Sequence, residues 1–175
     1  MTRDVSFGYL KRTWLAATAV IALAAPNAGS AAPSLMGAEA PDFVLRTLDE
    51  HNLRLSEYRG QVVLLNFWAS WCGACRQAMP ALNGMHAKYH QVGLVMLSVN
   101  LDDEQQRAER MAKSLKIEFP VLLDQRKEVS RLYQAETMPL TVLIDREGKV
   151  RFTYAGYNSG DESKFIAPLR TLLDE

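Results

Sequence analysis

The sequence contains few cysteines and few histidines, which limits the kinds of protein it can encode. Only two of its 175 residues are cysteine, so a small fold stapled by several disulfides is excluded. Its three histidines are His51, His86 and His90. On the helix that follows the cysteines, His86 and His90 would lie roughly three or four turns away at ~1.5 Å per residue. They are therefore too distant to complete a zinc site with the two thiols.

Charge of one sign is not concentrated anywhere in the chain. The 20 basic and 20 acidic residues cancel, and residues 32–175 carry 17 basic and 19 acidic ones. No basic cluster of the kind that nucleic acids require is present. Hydrophobic residues make up 48% of the chain, enough for the core of one globular domain. The sequence therefore predicts a single domain without a nucleic-acid partner.

Long apolar runs are also missing, because none approaches the ~20 residues that span a bilayer. The longest covers residues 14–25, after Arg3, Lys11 and Arg12 and before Pro26 and a run of small residues. This pattern is typical of a secretory signal peptide. We predict a signal at residues 1–31, cleaved near 30–32, and a periplasmic location. An uncleaved N-terminal membrane anchor is the alternative.

The remaining sequence predicts a linker at 32–40 and one domain at 41–175. Apolar–polar alternation and buried apolar runs predict strands at 42–48, 52–55, 62–67, 94–99, 121–123, 140–144 and 150–154. Helical spacing predicts helices at 56–60, 72–89, 102–115 and 128–133, and a last one starting at 161 or 163. This order, a β-hairpin, then βα units and a ββα ending, is typical of an α/β mixed-sheet sandwich.

Both cysteines lie in the segment Trp71-Cys72-Gly73-Ala74-Cys75, between a buried strand and a helix. At positions i and i+3 their sulfurs share a helix face, so a disulfide can form and reopen. Cys72 lies in the first turn, where free N–H groups and the helix dipole favour a thiolate. We predict that Cys72 is the nucleophile, that the deeper Cys75 resolves the mixed disulfide, and that Trp71 flanks the site and covers Cys72.

Two structural interpretations compete with this chemistry. A purely structural disulfide between Cys72 and Cys75 would close a very short loop and constrain the unfolded chain little. A zinc half-site would need two further ligands, which the histidines do not supply. Reversible dithiol chemistry is therefore favoured.

The residues around the cysteines resemble the thioredoxin superfamily. The resemblance is carried by residues 66–76 with Pro80, and segments 40–43, 55–68 and 138–148 look like its TlpA/ResA/DsbE branch. It covers about residues 38–174 and implies a thioredoxin-like mixed-sheet sandwich, with an N-terminal β-hairpin extension and a central insertion at 102–123. It also implies that Pro139 is a cis-proline facing the disulfide, with the Met138 backbone pairing with an extended client polypeptide. A trans-proline that begins a strand is the alternative.

The resemblance further implies a periplasmic thiol–disulfide oxidoreductase that reduces disulfides in client proteins, without cofactor or metal and as a monomer. Because its compartment is oxidising, a membrane electron donor of the DsbD/CcdA type would regenerate it. Clients could be apocytochrome c thiols or copper-site assembly proteins. A peroxiredoxin-like peroxide reductase is one alternative, since residues 41–71 are similar in both. A copper-binding chaperone using the two thiolates is another.

Two positions depart from the family pattern. Asn66 and Ala78 stand where many relatives carry a carboxylate. Such carboxylates assist proton transfer to or from the buried thiol. We therefore expect proton transfer at Cys75 to use water or another group, or to be slower.

Overall fold

The computed structural model describes Met1, Thr2 and residues 35–175. Apart from its first two residues, the predicted signal segment with its cleavage site lies outside the described residues, as do residues 32–34 of the predicted linker. Within the described part, no helix combines the length and the apolar character needed to cross a membrane.

Residues 35–40, the rest of the predicted linker, lie along the turn that joins the last two strands. The Gly37 N–H donates to the Val150 carbonyl at 2.7 Å, and the Ala40 N–H donates to the Gly148 carbonyl at 2.9 Å. Glu39 forms an antiparallel bridge with Lys149, and the Ala40 side chain is buried. Residues 35–40 therefore contact the rest of the domain, although they precede the predicted boundary at Pro41.

In the part of the chain that the structure describes, the fold is centred on a seven-stranded mixed sheet. Its strands are β1 (Val44–Thr47), β2 (Asn52–Arg54), β3 (Val62–Trp68), β4 (Leu94–Asn100), β5 (Val121–Leu123), β6 (Leu140–Ile144) and β7 (Val150–Ala155). They are ordered β2-β1-β5-β4-β3-β6-β7. The central strands β3, β4 and β5 are parallel, and the remaining pairs are antiparallel. The predicted mixed-sheet α/β architecture is confirmed.

The N-terminal hairpin and the central insertion are joined in this sheet. Strand β1 pairs antiparallel with β5, with Arg46 opposite Leu123 and Thr47 opposite Leu122. Strand β5 belongs to the insertion predicted at 102–123 and also pairs with β4. The insertion therefore attaches the hairpin to the central strands.

Within residues 35–175, four α-helices cover the sheet. They are α1 (Gly73–Tyr89), α2 (Gln105–Ser114), α3 (Glu128–Leu132) and α4 (Glu162–Asp174). The predicted helix at 56–60 is a short 3-10 turn, Leu55–Tyr58. Helix α2 begins three residues later than predicted, because the Asp102 N–H donates to the Asn100 side-chain oxygen at 2.9 Å and holds a turn there.

Every residue of β3 is buried, so this strand is packed on both faces. Leu64 and Trp68 point into the cluster that contains Cys72, Cys75 and the inner faces of α1 and α4. Leu65 and Phe67 lie in a second cluster on the opposite face. The segment with the two cysteines therefore directly follows a strand that is buried along its whole length.

Candidate active site

Cys72 and Cys75 form a disulfide at the start of α1, with their Cα atoms 5.2 Å apart. Cys72 is the N-cap residue of α1, with extended backbone angles, and its sulfur accepts a hydrogen bond from the Cys75 N–H at 3.0 Å. The first turn of the helix carries no acidic side chain. An N–H donor and a helix N-terminus both favour negative charge on the Cys72 sulfur once the disulfide opens.

The two cysteines differ in accessibility. Cys72 is 8% exposed, whereas Cys75 is completely buried. A partner can therefore reach the pair only from the Cys72 side. Trp71 is 66% exposed, so it is a surface residue next to Cys72 and not a core aromatic. Its covering of Cys72 stays a prediction.

Asp102 holds the loop that leads into the cysteines. Its carboxylate accepts hydrogen bonds from the Ser70 N–H at 3.0 Å, from the Ser70 hydroxyl at 2.8 Å and from the Asn100 side-chain amide at 2.8 Å. Asp102 is only 2% exposed. This residue therefore positions Ser70, two residues before Cys72.

Sequence reasoning missed Asp102 by placing it in a helix. Strands β3 and β4 are parallel, with Trp68 opposite Asn100, so the segments after both strands meet at one edge of the sheet. A polar side chain just after β4 could have been recognised as a neighbour of the segment after β3.

Trp68 holds the C-terminal end of β3 in place. It is completely buried, and its indole N–H donates to the Ser98 hydroxyl at 2.9 Å. Its carbonyl accepts from the Leu101 N–H at 2.9 Å. The indole N–H and the carbonyl of Trp68 thus both bond to β4 or to the residue that follows it. These bonds fix the position at which the cysteine loop starts.

The Met138–Pro139 peptide bond precedes β6 and is cis, as predicted. Met138 is half-buried and packs against both core clusters, one of which contains the two cysteines. The Pro139 carbonyl accepts from the Gly156 N–H at 2.7 Å. Within residues 35–175, the N–H and carbonyl of Met138 have no backbone partner. Their use by a bound client stays a prediction.

Asn66 and Ala78, the two positions without a carboxylate, are both buried, at 1% and 3% exposure. Asn66 alternates with Phe67 along β3 and so shares the face of Leu64 and Trp68, towards the cysteine cluster. Its side-chain nitrogen donates to the Thr141 hydroxyl at 3.1 Å. Its side-chain oxygen is buried without a hydrogen-bond partner in the described part of the chain. This oxygen can accept a hydrogen bond, but a neutral amide cannot take up a proton.

Replacing Asn66 by aspartate should make the stability of the protein depend on pH. Burial raises the pKa of a carboxyl group, so the new side chain is neutral at low pH and costly to ionise at high pH. The free energy of unfolding of Asn66→Asp should therefore fall, relative to the parent, as the pH rises from about 4 to about 8. Urea denaturation across this range measures it. Asn52→Asp, at an exposed position of β2, is the matched control and should show no such trend.

The histidines do not assemble a metal site. His86 and His90 stack with their ring centroids 5.1 Å apart, and burial lowers the pKa of His86. Across the described residues, no group of three or more histidine, cysteine, aspartate or glutamate side chains is placed to hold a metal ion. The cysteine pair thus has no third ligand of these types among those residues.

Comparisons with known proteins agree with this geometry. The sequence model of the AhpC/TSA family matches residues 36–153. The thiol-disulfide oxidoreductase ResA of Geobacillus kaustophilus is 38% identical over 121 residues, 69% of this chain and 70% of that protein. ResA of Geobacillus thermodenitrificans is 36% identical over 129 residues, 74% of each chain.

A solved structure extends the likeness to three dimensions. The crystal structure of a candidate thiol:disulfide interchange protein DsbE from Chlorobium tepidum superposes with a TM-score of 0.76 at 38% identity. The match covers 79% of this chain and 97% of that one. The named relatives are all described by thiol–disulfide chemistry, for which the described site supplies one buried and one accessible sulfur.

Proposed function

We propose a function from the premise that this chain belongs to the AhpC/TSA family and is a thioredoxin-like thiol–disulfide oxidoreductase related to ResA and DsbE. In this function, its dithiol form reduces disulfides in client proteins. The observation that carries the proposal is the asymmetry of the pair. Cys72 is 8% exposed at a helix N-cap, and Cys75 is fully buried behind it. One sulfur is placed for attack, and the other for an intramolecular second step.

The proposed reaction has two exchange steps. The Cys72 thiolate attacks one sulfur of the client disulfide, that disulfide breaks, and the departing client thiolate takes a proton from solvent. Cys75 then loses its proton and attacks the Cys72 sulfur, which releases the second client thiolate. Two electrons pass to the client, and the Cys72–Cys75 disulfide remains.

Client binding is proposed at the Met138 backbone. Its N–H and carbonyl lack backbone partners within residues 35–175, and an extended segment could pair with them as an added strand. The exposed Trp71 offers an apolar surface beside Cys72. Together, Trp71, Met138 and Pro139 would hold a client disulfide next to the nucleophile.

The proposed setting is the bacterial periplasm. The predicted signal segment at residues 1–31 and the relationship to DsbE support it. Because disulfides persist in that compartment, two electrons must come from a membrane donor of the DsbD/CcdA type after each turnover. Apocytochrome c thiols and copper-site assembly proteins are the expected clients.

Stoichiometric exchange tests this function. The protein is reduced with dithiothreitol, freed of reductant and mixed with a peptide that holds a Cys-x-x-Cys-His disulfide, the haem-attachment pattern. One peptide disulfide should be reduced for each Cys72–Cys75 disulfide formed, as measured by mass spectrometry after alkylation. A peptide without the histidine tests client preference. If neither peptide is reduced, the proposed function is wrong.

The match to the AhpC/TSA family supports peroxide as a second candidate substrate. A peroxide reductase would consume peroxide catalytically when dithiothreitol is supplied. We expect consumption no faster than the background of dithiothreitol with the Cys72→Ser variant. Sustained turnover above that background would favour the peroxidase over the disulfide reductase.

A further inference from the structure

A cleft of about 660 Å³ lies beside the cysteine pair, between the start of α1 and the face of α2. Ser70 and Arg76 line it at one side. Ser70 precedes Cys72 by two residues, and Arg76 directly follows Cys75. Arg107 and Arg110 line it from α2, where a spacing of three residues places them on one face. The cleft therefore adjoins the redox pair and is bordered by arginines from two helices.

Most of the positive charge in this cleft is not neutralised. Glu104 is the only acidic residue among the described residues that line it, and its carboxylate is paired with Arg107 at 3.2 Å. The Arg76 guanidinium donates to the Ser70 carbonyl at 3.4 Å. Arg110 makes no ion pair or side-chain hydrogen bond with the described residues. Three arginines thus face one glutamate.

Two further carboxylates precede Glu104 in the chain, and neither changes this balance at the surface. Asp103 is paired with Lys127 at 2.7 Å. Asp102 contacts Ser70, but it is 2% exposed, and its oxygens accept from Ser70 and Asn100. The domain as a whole is slightly acidic, with 17 basic and 19 acidic residues in 32–175. A positive cleft on an acidic domain is a local feature, located where an exchange partner must approach.

We propose that this cleft receives an acidic segment of the protein partner whose disulfide exchanges with Cys72. The proposal rests on the proposed function, because it names the chemistry of that partner. Guanidinium groups bind carboxylates through paired hydrogen bonds, and arginine is enriched in protein interfaces. All three arginines are exposed and spread over two helices, which suits several carboxylates along a polypeptide better than one small anion.

The cleft would act mainly on the rate of encounter. Complementary charges accelerate association, and salt weakens this acceleration. Acidic partners should therefore exchange faster than neutral ones at low ionic strength, and the difference should shrink as salt is added.

Two synthetic peptides test this directly. Both carry the same intramolecular disulfide and differ only in four flanking residues, glutamate in one and glutamine in the other. Reduced protein should reduce the glutamate peptide about tenfold faster at low salt. In Arg107→Glu/Arg110→Glu this ratio should fall to one or below. Arg126→Glu/Arg131→Glu makes the same charge change at exposed residues outside the cleft and should keep the ratio well above one.

Equal rates for the two peptides in the parent protein would overturn the inference, as would equal losses of the ratio in both double variants. Inhibition by sulfate, at constant ionic strength, with no preference between peptides would identify a small-anion site and would also overturn it. Exchange of the parent protein with dithiothreitol separates these outcomes from failure of the proposed function. If oxidised protein does not exchange with dithiothreitol at all, the proposed function fails first.

Discussion

Replacing Cys72 by serine should lower disulfide exchange by roughly a thousandfold or more, because the accessible nucleophile is removed. Replacing Cys75 by serine should leave the attack by Cys72 intact and block the second step. Cys75→Ser should therefore accumulate mixed disulfides with clients, whereas Cys72→Ser should not. Non-reducing electrophoresis with mass spectrometry of the trapped species measures both outcomes.

The double variant Cys72→Ser/Cys75→Ser is the control for adducts that form elsewhere. Because Cys75 has no exposed surface, we expect client adducts to form on Cys72 and not on Cys75. Adducts on Cys75 in the Cys72→Ser protein would reverse the assigned roles. If Cys75→Ser traps no client, Cys75 does not resolve a mixed disulfide.

Replacing Asp102 by alanine should destabilise the protein by about 3 kcal/mol. The carboxylate is buried and accepts from the Ser70 N–H, the Ser70 hydroxyl and the Asn100 amide. Its removal leaves these donors without their acceptor and releases the loop ahead of Cys72. We therefore expect a lower free energy of unfolding in urea and a slower exchange rate.

Two further variants sharpen this test. Asp103→Ala removes the neighbouring exposed carboxylate, whose ion-pair partner is Lys127, and should leave the free energy of unfolding nearly unchanged. Asp102→Asn keeps one acceptor oxygen and should be intermediate in both stability and rate. An Asp102→Ala protein with parental stability and exchange rate would show that this carboxylate does not position the loop.

Local sequence patterns predicted most of the elements. The continuous apolar run at 62–67 predicted a strand buried on both faces, and β3 is buried along its whole length. The spacing of Cys72 and Cys75 ahead of a helical pattern predicted the pair at a helix start, and the structure joins them there. Both features depend on neighbours within a few residues, so a single sequence contains them.

Contacts between distant segments could not be predicted from such local patterns. The bonds from Ser70 to Asp102 span 32 residues, and the pairing of β1 with β5 joins the hairpin to the insertion. The cleft arginines come from α1 and α2, whose relative placement no local pattern defines. The packing of residues 35–40 on the β6–β7 turn has the same character, because composition alone indicates a linker there.

The proposed function requires the Cys72–Cys75 pair to be a reversible dithiol that donates electrons to clients. The most direct test is its equilibrium reduction potential, determined by titrating the protein against dithiothreitol and glutathione buffers and counting free thiols. We predict a value of about −270 mV, as in a reducing thioredoxin-type site. A value near about −120 mV, typical of a strong disulfide donor, would contradict the proposed direction of electron flow.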